Sequence, residues 1–106
     1  MRQIIWTYFA TLEFKNIFLY YKLVASQRVA DKFKKSILNV TKKLSKSPLL
    51  GPIEENLIEL KQEHRYLVEG KYKIIYRIFD DNIFIVDIFD CRQNPQKMRI
   101  HSKSKL

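Results

Sequence analysis

The segment RYLVEGKYKIIYRIFDDNIFIVDIFDCRQNPQKM, residues 65–98, alternates apolar and polar side chains between short polar turns. That pattern predicts three strands, Arg65 to Glu69, Tyr72 to Phe79 and Ile83 to Phe89, turned by Gly70-Lys71 and by Asp80-Asp81-Asn82. Turns this short join neighbours, so the three form an antiparallel meander. In the second strand Tyr72, Ile74, Tyr76 and Ile78 point one way, and Lys73, Ile75, Arg77 and Phe79 the other. The first set suits a covered face, the second a more open one bearing two cations. Alternation alone does not fix the face of Arg65. Arg92 follows the third strand within reach of the same surface, and Lys97 adds a further cation. Arg65, Lys73, Arg77, Arg92 and Lys97 are therefore the candidate binding residues, suited to a phosphate or another acidic surface. The competing use of these cations is pairing with Glu69, Asp87 and Asp90 on neighbouring strands, and Asp87 is expected to be an ion-pair partner rather than a catalyst.

Upstream the period changes. Gln3 to Trp6 is a short β-prone run, and Thr7 is placed to cap a helix. Ala10, Phe14, Ile17, Tyr21 and Val24 recur at helical spacing, widened by Phe18, Leu19, Tyr20 and Leu23. A helix so broadly apolar is expected to pack on both a helix and a sheet, or on a partner protein. Ser26 caps a second helix with Ala30, Phe33, Ile37, Val40 and Leu44 inward and Lys34, Lys35, Lys42, Lys43 and Lys46 outward. We read that lysine face as solvated, and the pair as an antiparallel hairpin ended by Ser47-Pro48. Pro48 to about Gln62 reads as loop. The fold class is thus α+β, with an N-terminal strand and an α-helical hairpin packed on one face of a twisted antiparallel sheet. Residues 1–98 form one domain and residues 99–106 a basic tail.

At 106 residues the chain holds one core. With 46% hydrophobic residues and only two glycines and three prolines, it is too apolar and too poor in turn residues for a disordered chain. Twenty Lys and Arg against eleven Asp and Glu give +9, a field that favours polyanions, acidic proteins or anionic surfaces. The single cysteine, Cys91, rules out an internal disulfide and a four-cysteine zinc site, and reads as an inert thiol. No run approaches the ~18 apolar residues that span a bilayer. The start shows no small-residue cleavage site, so a mature cytoplasmic protein without membrane association is expected. His64 and His101 lie far apart, no cluster has metal-ligand spacing, and no glycine-rich phosphate loop or nucleophile elbow is present. Neither a metal nor a small-molecule cofactor is expected.

Several pieces recur in a fixed order: the Trp6-Thr7 strand end, Tyr20-Tyr21, Ala25-Ser26 with Ala30 and Phe33, then Leu44, Pro48 and Gly51. They continue through Arg65-Tyr66-Leu67-Val68, Gly70-Lys71-Tyr72-Lys73-Ile74-Ile75-Tyr76-Arg77 and Asp90-Cys91-Arg92-Gln93-Asn94-Pro95. In this order, over about residues 3–98, the chain resembles the RelE/ParE superfamily of bacterial type II toxins. The resemblance implies a toxin neutralised by a cognate antitoxin. Its RelE-like members cut messenger RNA on the ribosome without a metal, and its ParE-like members inhibit DNA gyrase by binding.

For a ribonuclease, the resemblance would place Lys73, Arg77 and Arg92 around the scissile phosphate. Where such ribonucleases carry a tyrosine a few residues after the last strand, this chain has Met98, and a thioether cannot act as a general base. We therefore favour the ParE-like branch. The alternatives are a ribosome-dependent endoribonuclease acting on messenger RNA, and a non-catalytic nucleic-acid-binding module.

Overall fold

The computed structural model describes residues 2–98; the basic tail and His101 lie outside the described residues. The order is β1 (Ile4–Trp6), α1 (Tyr8–Val24), α2 (Gln27–Lys46), a short 3-10 helix (Glu55–Leu60), β2 (Arg65–Glu69), β3 (Tyr72–Phe79) and β4 (Asn82–Asp90). Both expected caps form. Thr7 Oγ1 accepts from the Ala10 N–H at 3.1 Å and Ser26 Oγ from the Val29 N–H at 3.1 Å, each satisfying a donor that the first helical turn leaves free.

The strands lie in the order β1-β4-β3-β2. β2, β3 and β4 form the antiparallel meander, with Asp80 (φ 51°) and Asp81 (φ 61°) supplying the two left-handed residues of a tight hairpin turn. β1 instead joins β4 in parallel, pairing Ile4 with Ile83 and Trp6 with Ile85, so the whole sheet is mixed. The reason is topological: the helical hairpin between β1 and β2 carries the chain across a face and returns it in the same direction.

The hairpin covers one face. Phe33, Ile37, Val40 and Leu44 of α2 meet Tyr72, Ile74 and Tyr76 of β3 and Ile83, Ile85 and Ile88 of β4. An aromatic chain from Trp6 through Phe14 and Phe33 to Tyr72 ties β1, both helices and β3 together, with ring centroids 5.3–5.5 Å apart. Only Ala10 of α1 is fully buried. Leu23 (83% exposed), Val24 and Tyr20 at its C-terminal end stay in solvent, so α1 packs on α2 and β4 along one side and leaves the other bare.

The opposite face is not open. Leu57 and Leu60 of the 3-10 helix and Met98 cover Ile75, Val86 and Phe89 in a second core. The Pro48 to Gln62 segment, expected as plain loop, therefore holds a helix, and its Ile53 bridges Arg65 at the sheet edge. Its approach is close. A Cβ on Gly51 would stand 2.2 Å from the Tyr66 carbonyl oxygen, so only glycine fits. The Tyr76 hydroxyl donates to the Pro48 carbonyl at 2.8 Å and accepts from the Gly51 N–H at 3.0 Å, fixing that loop on the end of β3.

Candidate functional site

The register distributes the five candidate cations over three places. Arg65 pairs with Tyr76, which puts it on the hairpin side, away from Lys73 and Arg77. There its guanidinium donates to the Gly51 carbonyl at 2.8 Å and to Glu63 at 3.3 Å. Arg65 thus holds the loop that Tyr76 also holds.

Lys73 and Arg77 do share the other face, as alternation predicts, but that face is built over. Lys73 Nζ donates to Glu54 Oε1 at 2.7 Å and lies 4.3 Å from the centroid of the Tyr66 ring. Glu54 is 2% exposed, and its other oxygen accepts from the Asn56 N–H and side-chain amide, capping the 3-10 helix. Burial by itself pushes the Glu54 carboxyl up. The hydrogen bonds from Lys73 and Asn56, with the Lys73 charge, outweigh it and hold the group below its ordinary value. The expected partners on neighbouring strands are thus replaced, for Lys73, by an acid nineteen residues away.

Arg77 is half-buried, its guanidinium 5.0 Å from the centroid of the Phe79 ring, and burial lowers its pKa. Beside it stands His64, one residue before β2. That imidazole is buried at 2% exposure, and burial, followed by the Arg77 charge, brings its pKa down to about 4, against a smaller opposing pull from Glu54. A neutral ring has a base's chemistry, but both nitrogens are shielded from solvent. At 2% exposure, on the wall of a recess it shares with Ile53, Ile58 and Lys61, it does not present a base to a ribose hydroxyl.

Arg92 lies on the far side of the sheet from Lys73. It shares a recess of about 320 Å³ with Glu13, Asn16 and Tyr20 of α1, Lys71, and the hairpin-side residues Tyr72 and Ile88. The Asp90 carboxylate takes it in a fork, accepting from Nε at 3.0 Å and from the terminal nitrogen at 2.7 Å. That contact is the main cause of the lowered Asp90 pKa and the raised Arg92 one. The Asp90 half of the expected pairing is therefore present. Lys97 is exposed in the turn after β4. Asp87 is fully buried, its pKa raised to about 7 by burial and then by the Glu13 charge, with the Ile88 N–H opposing.

Met98 is 1% exposed in the second core. Its thioether fills the face on which a phosphate grip would need a proton acceptor. Next to this, the hairpin offers a different kind of surface. A groove of about 380 Å³ runs between the helices and the β2–β3 turn, walled by Tyr21, Val29, Phe33, Ile37 and Tyr72 with Lys71 at its rim. Tyr21 and Tyr72 join their hydroxyls at 2.7 Å across its floor. Burial, and then this hydrogen bond, raise the Tyr72 pKa. The sequence places Tyr21, Phe33, Ile37 and Tyr72 on packing faces and does not single out Val29; their shared wall depends on the meeting of α2 with a turn 37 residues beyond Phe33. Among the described residues no three His, Cys, Asp or Glu side chains gather as a metal site, and no helix is long and apolar enough to cross a membrane.

Comparison with known proteins agrees with this architecture. A family model described as the ParE toxin of the type II toxin-antitoxin system, parDE, matches residues 4–95. Among solved structures, a chain of the chromosomal ParDE TA system from P. aeruginosa superimposes with a TM-score of 0.70 at 21% identity, covering 85% of this chain and 96% of that one. No curated protein matches.

Proposed function

The chain belongs to the ParE toxin family of type II toxin-antitoxin systems, and from that premise we propose that it arrests growth in the cytoplasm by binding DNA gyrase, performing no bond chemistry itself. The carrying observation is the state of the sheet cations. Lys73 is neutralised by buried Glu54, Arg65 is tied to Gly51 and Glu63, and Met98 occupies the covered face. A ribonuclease needs a positioned base and a free cation at one phosphate. His64, the one histidine among the described residues, is 2% exposed with neither ring nitrogen open to solvent, so no accessible imidazole stands beside Lys73 and Arg77.

The same reading gives the hairpin surface to protein partners. The bare end of α1, with Tyr20, Leu23 and Val24, adjoins Tyr21 and the groove it walls. Such a contiguous apolar area suits a cognate antitoxin that covers it and neutralises the toxin.

Purified gyrase with relaxed plasmid tests the reading. Adding the chain is expected to stop supercoiling and to leave cleaved DNA, and adding the antitoxin to restore activity. Undisturbed supercoiling, together with codon-phased cuts in messenger RNA after induction in cells, would establish the ribonuclease instead.

A further inference from the structure

Much of the free positive charge among the described residues is on α2, a face that the sequence alone reads as merely solvated. The helix carries seven cations and one acid, Asp31, whose carboxylate already accepts from Gln27 at 2.9 Å. None of its lysines enters an ion pair among the described residues.

Their spacing is ordered. Arg28, Lys32, Lys35, Asn39, Lys42 and Lys46 follow one another at intervals of four, three, four, three and four residues, and all six are exposed. At 3.6 residues per turn these intervals hold one line on the helix surface, about 27 Å long at 1.5 Å per residue. Lys35 and Lys42, about 10 Å apart on that rise, match the span of a duplex groove about 12 Å wide.

We propose that this stripe on α2 docks on the phosphate backbone of double-stranded nucleic acid without reading its sequence. The chemistry of the face selects that ligand over other polyanions. An acidic protein partner needs apolar or aromatic anchors at its centre. The six stripe residues include none, α2's one aromatic, Phe33, is buried, and Lys32 alone of the six also lines the hairpin groove. Single strands draw affinity from base stacking on exposed aromatics, which are missing for the same reason. A membrane-surface helix inserts its apolar side, and α2 has that side packed against the sheet. What remains is point charges held in line by a rigid helix, which is how proteins hold duplex phosphates irrespective of sequence. The inference is independent of the gyrase reading, because it concerns nucleic acid with no enzyme present.

Fluorescence anisotropy of the purified chain with a labelled 20-base-pair DNA duplex, at salt between about 50 and 200 mM, tests it. Tighter binding to the duplex than to either single strand is expected. In the Lys35→Ala/Lys42→Ala variant the slope of log affinity against log salt should fall by about 1.8, since each lost phosphate contact removes about 0.9. Lys15→Ala/Lys22→Ala, with the same net charge, should keep the original slope. An RNA duplex in place of DNA shows which duplex is held more tightly, and tighter binding of either than of single strands supports the proposal. Equal losses in the two variants would mean diffuse attraction and overturn it. So would tighter binding to single strands, equal displacement by polyglutamate, or no binding at the lowest salt.

Discussion

Lys73 and Arg65 on the sheet and Lys35 and Lys42 on α2 are the same kinds of residue in opposite circumstances. The sheet cations sit where loops close over them. Each has an oxygen within 2.8 Å, and Lys73 is tied to a carboxylate that is almost wholly buried. The helix cations face water along a continuous line with a single acid among them. The difference teaches that a cation's density in sequence says little about its task. What decides is whether the fold brings an acid to it. Here the segment that does so is the turn leading into the 3-10 helix, whose capping residue Glu54 pairs with Lys73.

The comparison breaks first at Lys73. Lys73→Ala leaves a buried carboxylate without its counter-charge, and unfolding in urea is expected to show a loss of about 3 kcal/mol. A loss within experimental error would mean that the pair is not structural. Nearly as large is an effect of pH at His64. Its folded pKa of about 4 lies below the ordinary 6.5, so on acidification the unfolded chain takes up the proton first. Stability present above pH 6.5 is then lost as pH falls toward 4, by about 2–3 kcal/mol. Glu54, also depressed, contributes stability above its ordinary 4.5 that is lost as pH falls through its lower folded value. His64→Leu should flatten the upper part of that curve and leave the lower part.

A smaller loss, about 1–2 kcal/mol, is expected for Tyr76→Phe, which strips the Gly51 N–H and the Pro48 carbonyl of their partner; thermal unfolding reads it. At the far end, Lys42→Ala is expected to change stability by no more than about 0.5 kcal/mol, because nothing in the fold depends on it. If Lys42 proved as costly as Lys73, the contrast between the two cation sets would collapse.

These magnitudes also mark what could be read in advance. The caps Thr7 and Ser26, the hairpin and the three strands follow from local chemistry, and the alternation of β3 correctly set Lys73 and Arg77 on one face. The rest depends on contacts distant in sequence. Arg65 is turned to the hairpin side by its register with Tyr76, which no local pattern specifies. Arg92 lies beside α1 because β4 ends there, on the opposite face from Lys73. Glu54 looks like one more loop acid until the 3-10 helix carries it to Lys73. The sheet was expected to be open on one side because that segment was read as loop, and the second core followed only from its packing. The face of α2 was visible as a run of lysines, and its importance emerged when Arg65 and Lys73 proved to be occupied.

The central claim is that the sheet cations hold the fold and do not grip a substrate. Lys73→Met combined with Glu54→Gln tests it most directly, since it removes both charges while keeping an acceptor for the Asn56 cap. The measurement is growth arrest on induction, at matched protein level and with folding checked by circular dichroism. Undiminished arrest is the predicted result. A folded double variant that no longer stops growth would show that Lys73 acts on a target, and would contradict the account.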